Sequence, residues 1–125
     1  MHENDISYAI RGAAFKVHSA LGPGLLESVY ETALAYELRE DGYEVLTQVG
    51  VPVVYQDVKM DQGFRMDMLV NQKVIVEIKS VDALMDVHHK QLLTYLKLSG
   101  KKLGLLINFN VVSLKDSITR IANGL

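Results

Sequence analysis

Residues 64–80 read FRMDMLVNQKVIVEIKS, and the register of this stretch decides the fold. Two runs rich in apolar and β-branched residues flank the polar triplet Asn71-Gln72-Lys73, the pattern of a β-hairpin. Side chains at i and i+2 of a strand share a face, so Glu77 and Lys79 point the same way. A three-residue loop over 71–73 pairs Val70 with Val74, sets Asp67 opposite Glu77 and sets Arg65 opposite Lys79. A two-residue loop would oppose Asp67 to Val76 and part the two acids. The three-residue reading therefore predicts an acidic site on the hairpin.

The chain of 125 residues suits one domain, 1–125, with a genuine core. Its hydrophobic share of 49% and charged share of 22% place it among globular rather than disordered chains. It has no cysteine, which excludes disulfides, thiolate metal sites and cysteine nucleophiles. The opening MHENDISYAIRG lacks a basic segment followed by an apolar one, so a secretory signal is not expected. No apolar run approaches the ~20 residues needed to cross a bilayer. These features predict a cytoplasmic protein with no membrane partner. A net charge of −2 argues against strong charge-driven nucleic-acid binding by the chain alone, although a bound divalent metal offsets clustered acids. The basic knot Lys97, Lys101 and Lys102 reads as a solvated helix end and turn.

Working outward, Asn4 or Asp5 caps a first predicted helix that runs to Leu21, where Gly22-Pro23-Gly24 breaks it. A second helix over 25–41 turns Leu26, Val29, Tyr30, Ala33 and Leu34 inward and stops at Gly42. Residues 43–59 read as strand, with Pro52 marking an edge or an interruption. Asp61-Gln62-Gly63 is read as the turn into the hairpin. Beyond Ser80 the period becomes helical over 84–98, ending near Gly100. LGLLINF, 103–109, reads as a strand buried on both faces and, after a helical crossover, parallel to the one ending at Lys79. The tail over 113–125 reads as a short helix through Leu114, Ile118 and Ile121. The order is ααβββαβ, an α/β sandwich around a mixed sheet.

Asp67 and Glu77 stand on strands otherwise rich in apolar residues, where isolated charges are costly. Opposed like charges repel. Two arrangements relieve them: an ion-pair ladder with Arg65 and Lys79, or a divalent cation held by both carboxylates. Hard oxygen ligands suit Mg²⁺ or Mn²⁺. On the helix over 84–98, Leu84, Val87, Leu92, Tyr95 and Leu98 form an apolar arc with Gln91 in its middle and His88 beside it. Buried there, Gln91 and His88 need partners, and for His88 a structural hydrogen bond is the simpler reading. Glu27, in the first turn after Gly24, is explained either by the helix dipole or as a further metal ligand.

Taken together, these residues resemble the PD-(D/E)XK nuclease superfamily, whose fold is restriction-endonuclease-like. More closely, they resemble its GxxExxY family. Gly24-Leu25-Leu26-Glu27-Ser28-Val29-Tyr30 matches the name-giving motif, and Asp67 matches the strand aspartate, preceded by Met66 in place of proline. Glu77-Ile78-Lys79 matches the (D/E)-x-K element, and Gln91-Leu92-Leu93-Thr94-Tyr95 resembles a Q-x-x-x-Y helix motif. The resemblance runs over about 10–121. It implies a Mg²⁺- or Mn²⁺-dependent nuclease acting on DNA, with Asp67, Glu77, the Ile78 backbone carbonyl and Glu27 as metal ligands. It further implies that Lys79 orients water and stabilises charge. Gln91 positions water or phosphate, and Tyr95, Tyr30, Arg65 and His88 support the site. Two other readings stand beside it: a catalytically silent nucleic-acid-binding or adaptor module, and an interaction subunit whose acids form a structural ladder. The small size suggests a homodimer, which would present two sites to the two strands of a duplex.

Overall fold

The computed structural model describes residues 1–125. Helix α1, Glu3–Leu21, is followed by α2, Glu27–Glu40, and by strands β1, Val45–Tyr55, β2, Val58–Val70, and β3, Val74–Lys79. Helix α3, Asp86–Ser99, leads to β4, Leu103–Asn108, then a single 3₁₀ turn, Leu114–Asp116, and β5, Ile118–Ala122. The five strands form one sheet in the order β1-β2-β3-β4-β5. Only β3 and β4 are parallel, joined across α3, so the sheet is mixed as the sequence predicts.

The sheet carries apolar side chains on both faces. Helices α1 and α2 cover one through Ile6, Ile10, Tyr30 and Leu34, which pack with Met68, Val76, Ile78 and Ile107. Helix α3 covers the other through Leu92 and Leu96, which pack with Met66, Leu69, Ile75 and Leu106. The two helical layers and the sheet between them make the expected sandwich.

Several local expectations give way. The cap of α1 is His2, whose Nδ1 accepts the Asn4 N–H at 2.9 Å, not Asn4 or Asp5. Leu26 is not inward: as the residue preceding α2 it is 74% exposed, and Val29 is also exposed. Asp61-Gln62-Gly63 is not a turn but part of β2. The reversal falls at Gln56 and Asp57, between paired Tyr55 and Val58, with Gln56 in the left-handed region at φ 56°. Pro52 does mark an interruption, since the β1–β2 register shifts between Val51 and Val53 on an edge strand. The tail is not a helix beyond its one turn. Ile118–Ala122 pairs antiparallel with β4, whose backbone groups on that side would otherwise lack partners. Nor is the whole predicted arc of α3 buried. The helix buries Leu92 and Leu96, while Val87, Leu98 and Gln91 are exposed. The seam centres on Leu92 because it packs over Gly104, where an added Cβ would come within 2.9 Å of the leucine side chain.

Candidate active site

The hairpin loop is three residues long, and Val70 pairs with Val74, Leu69 with Ile75 and Met68 with Val76. Asn71 and Gln72 take left-handed φ values of 50° and 59° to close it, and the Asn71 side chain accepts the Glu44 N–H at 2.9 Å. Backbone pairing of β2 with β3 then stops, and side chains take over. The Asp67 N–H donates to Glu77 Oε2 at 2.8 Å, and the Ile78 N–H donates to Asp67 Oδ2 at 2.8 Å. Each acid thus satisfies a backbone donor on the other's strand, and the two strands are held apart with both carboxylates in the gap.

The break coincides with a change of face. Val45 of β1 and Met68 of β2 belong to the core under α1 and α2, whereas Val49 and Met66 pack on the α3 side. Strict alternation would keep each pair on one face. Both strands therefore twist across the sheet at Gln48 and Asp67, and Gln48 has φ 54°. Asp67 consequently opens toward α2. It lines a cleft of about 340 Å³ with Glu27, Ser28, Glu31, Gln48 and Ile78. Glu77 lies behind it, 4% exposed.

Burial, followed by the charge of Asp67, pushes the Glu77 carboxyl up to about 8. Burial also raises Asp67, although the Ile78 N–H and the nearby Lys79 charge hold it down. Glu31 is raised by burial as well. No ion pair relieves this concentration of acid. The molecule's single salt bridge, Lys16 to Glu37 at 3.0 Å, joins α1 to α2. Arg65 is exposed and Lys79 half-buried, and neither pairs with Asp67 or Glu77, so the ladder is not formed.

The donor chemistry fits a hard divalent cation. Asp67 and Glu77 meet in one gap, are penalised for carrying charge there, and retain lone pairs beyond those used by the two N–H groups. The Ile78 carbonyl projects to the same side of β3 as its N–H, toward that gap. No group of three or more His, Cys, Asp and Glu side chains is disposed to hold a metal. The protein would thus supply few ligands and water the rest, as Mg²⁺ prefers.

The other predicted residues divide. Glu27 is the first residue of α2 and lines the cleft; it is exposed, with Oε2 accepting the Ser80 N–H at 3.3 Å. Tyr30 is buried and structural: its hydroxyl donates to the Gly22 carbonyl at 2.6 Å and accepts the Leu25 N–H at 3.1 Å. Its ring stacks on Phe109 at 4.5 Å. It thereby fixes the turn that delivers Glu27. Tyr95 stacks on Phe64 at 4.3 Å, near enough to the acids for their charge to raise its hydroxyl after burial. Gln91 is exposed and outside the cleft lining, contrary to its predicted burial. His88 caps α3, its Nδ1 accepting the Met85 N–H at 3.0 Å.

Three residues were not anticipated. Glu31 follows Glu27 by one helical turn, and that spacing was the available signal. Gln48 carried none. Asn108, 3% exposed, accepts the Val81 N–H at 3.1 Å and donates to the Val81 carbonyl at 3.0 Å, securing the chain that leaves Lys79.

A mixed sheet between helical layers, split beside an Asp and a Glu-x-Lys, defines a nuclease-type fold. The chain belongs to the PD-(D/E)XK nuclease superfamily, whose family model matches residues 4–121. No curated protein and no solved structure matches it.

Proposed function

We propose that the chain is a divalent-metal-dependent nuclease that hydrolyses DNA phosphodiester bonds, of the GxxExxY kind within its superfamily. The observation that carries this reading is the reciprocal lock of Asp67 and Glu77 in the gap between β2 and β3, without an ion-pair partner. Mg²⁺ or Mn²⁺ would be held by Asp67, Glu77 and the Ile78 carbonyl, with Glu27 reaching it directly or through water. A bound divalent ion supplies Lewis acidity to the phosphate and lowers the pKa of water.

The chain's own groups do the rest. Asp67 is oriented by the Ile78 N–H, so its carboxylate is set before substrate arrives. Lys79, the last residue of β3, brings an ammonium beside the acids and stabilises negative charge developing on the phosphate. Gln91 and Tyr95 contribute from α3, Gln91 from its exposed surface to the phosphate chain and Tyr95 by supporting the α3 side of the split. The open edge of β1, VLTQVGVPVVY, has no charged side chain and supports a homodimer through that edge.

The test is cleavage of labelled single- and double-stranded DNA with Mg²⁺, Mn²⁺ or chelator, by wild type and by Asp67→Asn. Metal-dependent cutting lost in the variant supports the reading. DNA binding with no cutting under any metal would replace it with the adaptor module.

A further inference from the structure

All of β4, Leu103–Asn108, is buried, and Asn108 is its one polar side chain. Ile75 of β3 and Leu106 of β4 pack on the α3 side of the sheet. Alternation therefore sets Glu77, Lys79 and Asn108 on that side, and the parallel register puts Asn108 beside Lys79. A leucine would fill nearly the same volume and need no partner, so packing does not account for an amide there. Its bonds do. Oδ1 accepts the Val81 N–H at 3.1 Å and the Asn110 N–H at 3.2 Å, and Nδ2 donates to the Val81 carbonyl at 3.0 Å. A single side chain thus takes both backbone groups of Val81, as a neighbouring strand would, just beyond Lys79. The Lys79 carbonyl itself accepts the Phe109 N–H at 2.9 Å. From α2 the same segment is reached through Ser80, whose hydroxyl donates to the Leu25 carbonyl at 2.7 Å and whose N–H donates to Glu27 Oε2 at 3.3 Å. Those two bonds are exposed to water, whereas the Asn108 amide is shielded from it and holds more firmly.

We propose that Asn108 is a positioning residue for Lys79: by clamping Val81 to the end of β4 it fixes the path on which the chain leaves β3, and with it the direction of the Lys79 side chain on the face it shares with Glu77. Lys79 is the last residue of its strand, so without the clamp the strand end frays and the ammonium samples orientations away from the acids. The effect on turnover rests on the nuclease reading, while the effect on the Lys79 side chain does not.

The experiment uses the full chain with Asn108→Ala, which removes all of these side-chain bonds, and Asn108→Asp, which keeps an acceptor for both N–H groups and loses the donor to Val81. Each is made in wild type and in Lys79→Ala, and kcat and KM are measured for Mn²⁺-supported DNA cleavage. In the wild-type background kcat is expected to fall about tenfold with Asn108→Ala and about fivefold with Asn108→Asp. KM should stay within about twofold, because orientation rather than binding is lost. In the Lys79→Ala background neither substitution should lower kcat by more than about twofold, since a residue that acts through Lys79 then has nothing left to position. Wild-type kcat in both variants overturns the proposal. So does an equal loss with and without Lys79, which is what a merely structural clamp would give. Should Asn108→Ala fail to fold, Asn108→Asp carries the same comparison. Should wild type cleave no DNA, the nuclease reading fails, and the χ1 couplings of Lys79, read by NMR, decide alone. A single staggered rotamer in wild type that averages in the variants supports positioning, and unchanged couplings overturn it.

Discussion

The Glu77 carboxyl, buried against Asp67 and pushed up to about 8, keeps its proton in the folded state over a range where the unfolded chain has lost it. A raised acid pKa means that the folded state binds more protons, so stability falls as pH rises between the unfolded value of about 4.5 and the folded value of about 8. Chelator-treated wild type is therefore expected to lose stability across that window, on the order of 5 kcal/mol in all. Glu77→Gln keeps an oxygen for the Asp67 N–H and removes the charge, so its stability is expected to fall less over the same range, with Asp67 and Glu31 still titrating. Urea unfolding at pH 5.5 and 8.5 checks both, and a wild type no less stable at the higher pH would contradict the account. Lys79 raises a different expectation. Half-buried and without an ion pair, it contributes little to the fold, so Lys79→Ala should cost under about 1 kcal/mol. If the ammonium stabilises the reacting phosphate, kcat should fall about 100-fold. Steady-state cleavage beside thermal unfolding separates the two effects.

At the scale of elements, α3 is seated by one close approach. Gly104 of β4 lies under Leu92, and an added Cβ would meet that fully buried side chain within 3.0 Å. Gly104→Ala is expected to cost about 1–3 kcal/mol and to loosen α3, with its Tyr95, over the α3 side of the split. Thermal unfolding reports this, and an unchanged midpoint would show that the helix shifts freely. The same approach explains what the sequence withheld. Helical spacing placed Gln91 at the centre of a buried arc, but Gly104 draws the seam to Leu92 and Leu96. The hairpin was legible because loop length and alternation together fix Val70 on Val74. The twist at Gln48 and Asp67 was not, because each strand still alternates locally and only the helices above and below reveal the change of face. Leu114, Ile118 and Ile121 fit a helix, but the open side of β4 recruits residues 118–122 as a strand. Asp61-Gln62-Gly63 looks like a turn, yet Gly63 serves close packing: an added Cβ there would meet Val53 beside the Pro52 irregularity.

For the whole molecule, a net charge of −2 and a cleft lined by Glu27, Glu31 and Asp67 repel a phosphate backbone. Affinity for DNA is therefore expected to depend on a divalent ion at the site rather than on a basic surface. Fluorescence anisotropy with Ca²⁺, a non-catalytic substitute, should show binding at least about tenfold tighter than in chelator, with the gain lost in Asp67→Ala. Equal binding in both conditions would place the contact elsewhere. The superfamily fold was legible in the ordered set Glu27, Asp67, Glu77-x-Lys79, which the structure spreads over the start of α2, β2 and β3. Glu31 and Gln48 were not, because they meet only where α2, β1 and β2 converge.

The most direct measurement is a calorimetric titration of wild type and of the Asp67→Ala, Glu77→Ala double variant with Mn²⁺ and Mg²⁺, repeated with a non-cleavable duplex present. Wild type is expected to bind metal, more tightly as pH rises toward 8 and protons leave Glu77, and the double variant is expected to bind none at the same site. A folded wild type that takes up no metal at millimolar concentration, with or without DNA, would contradict this.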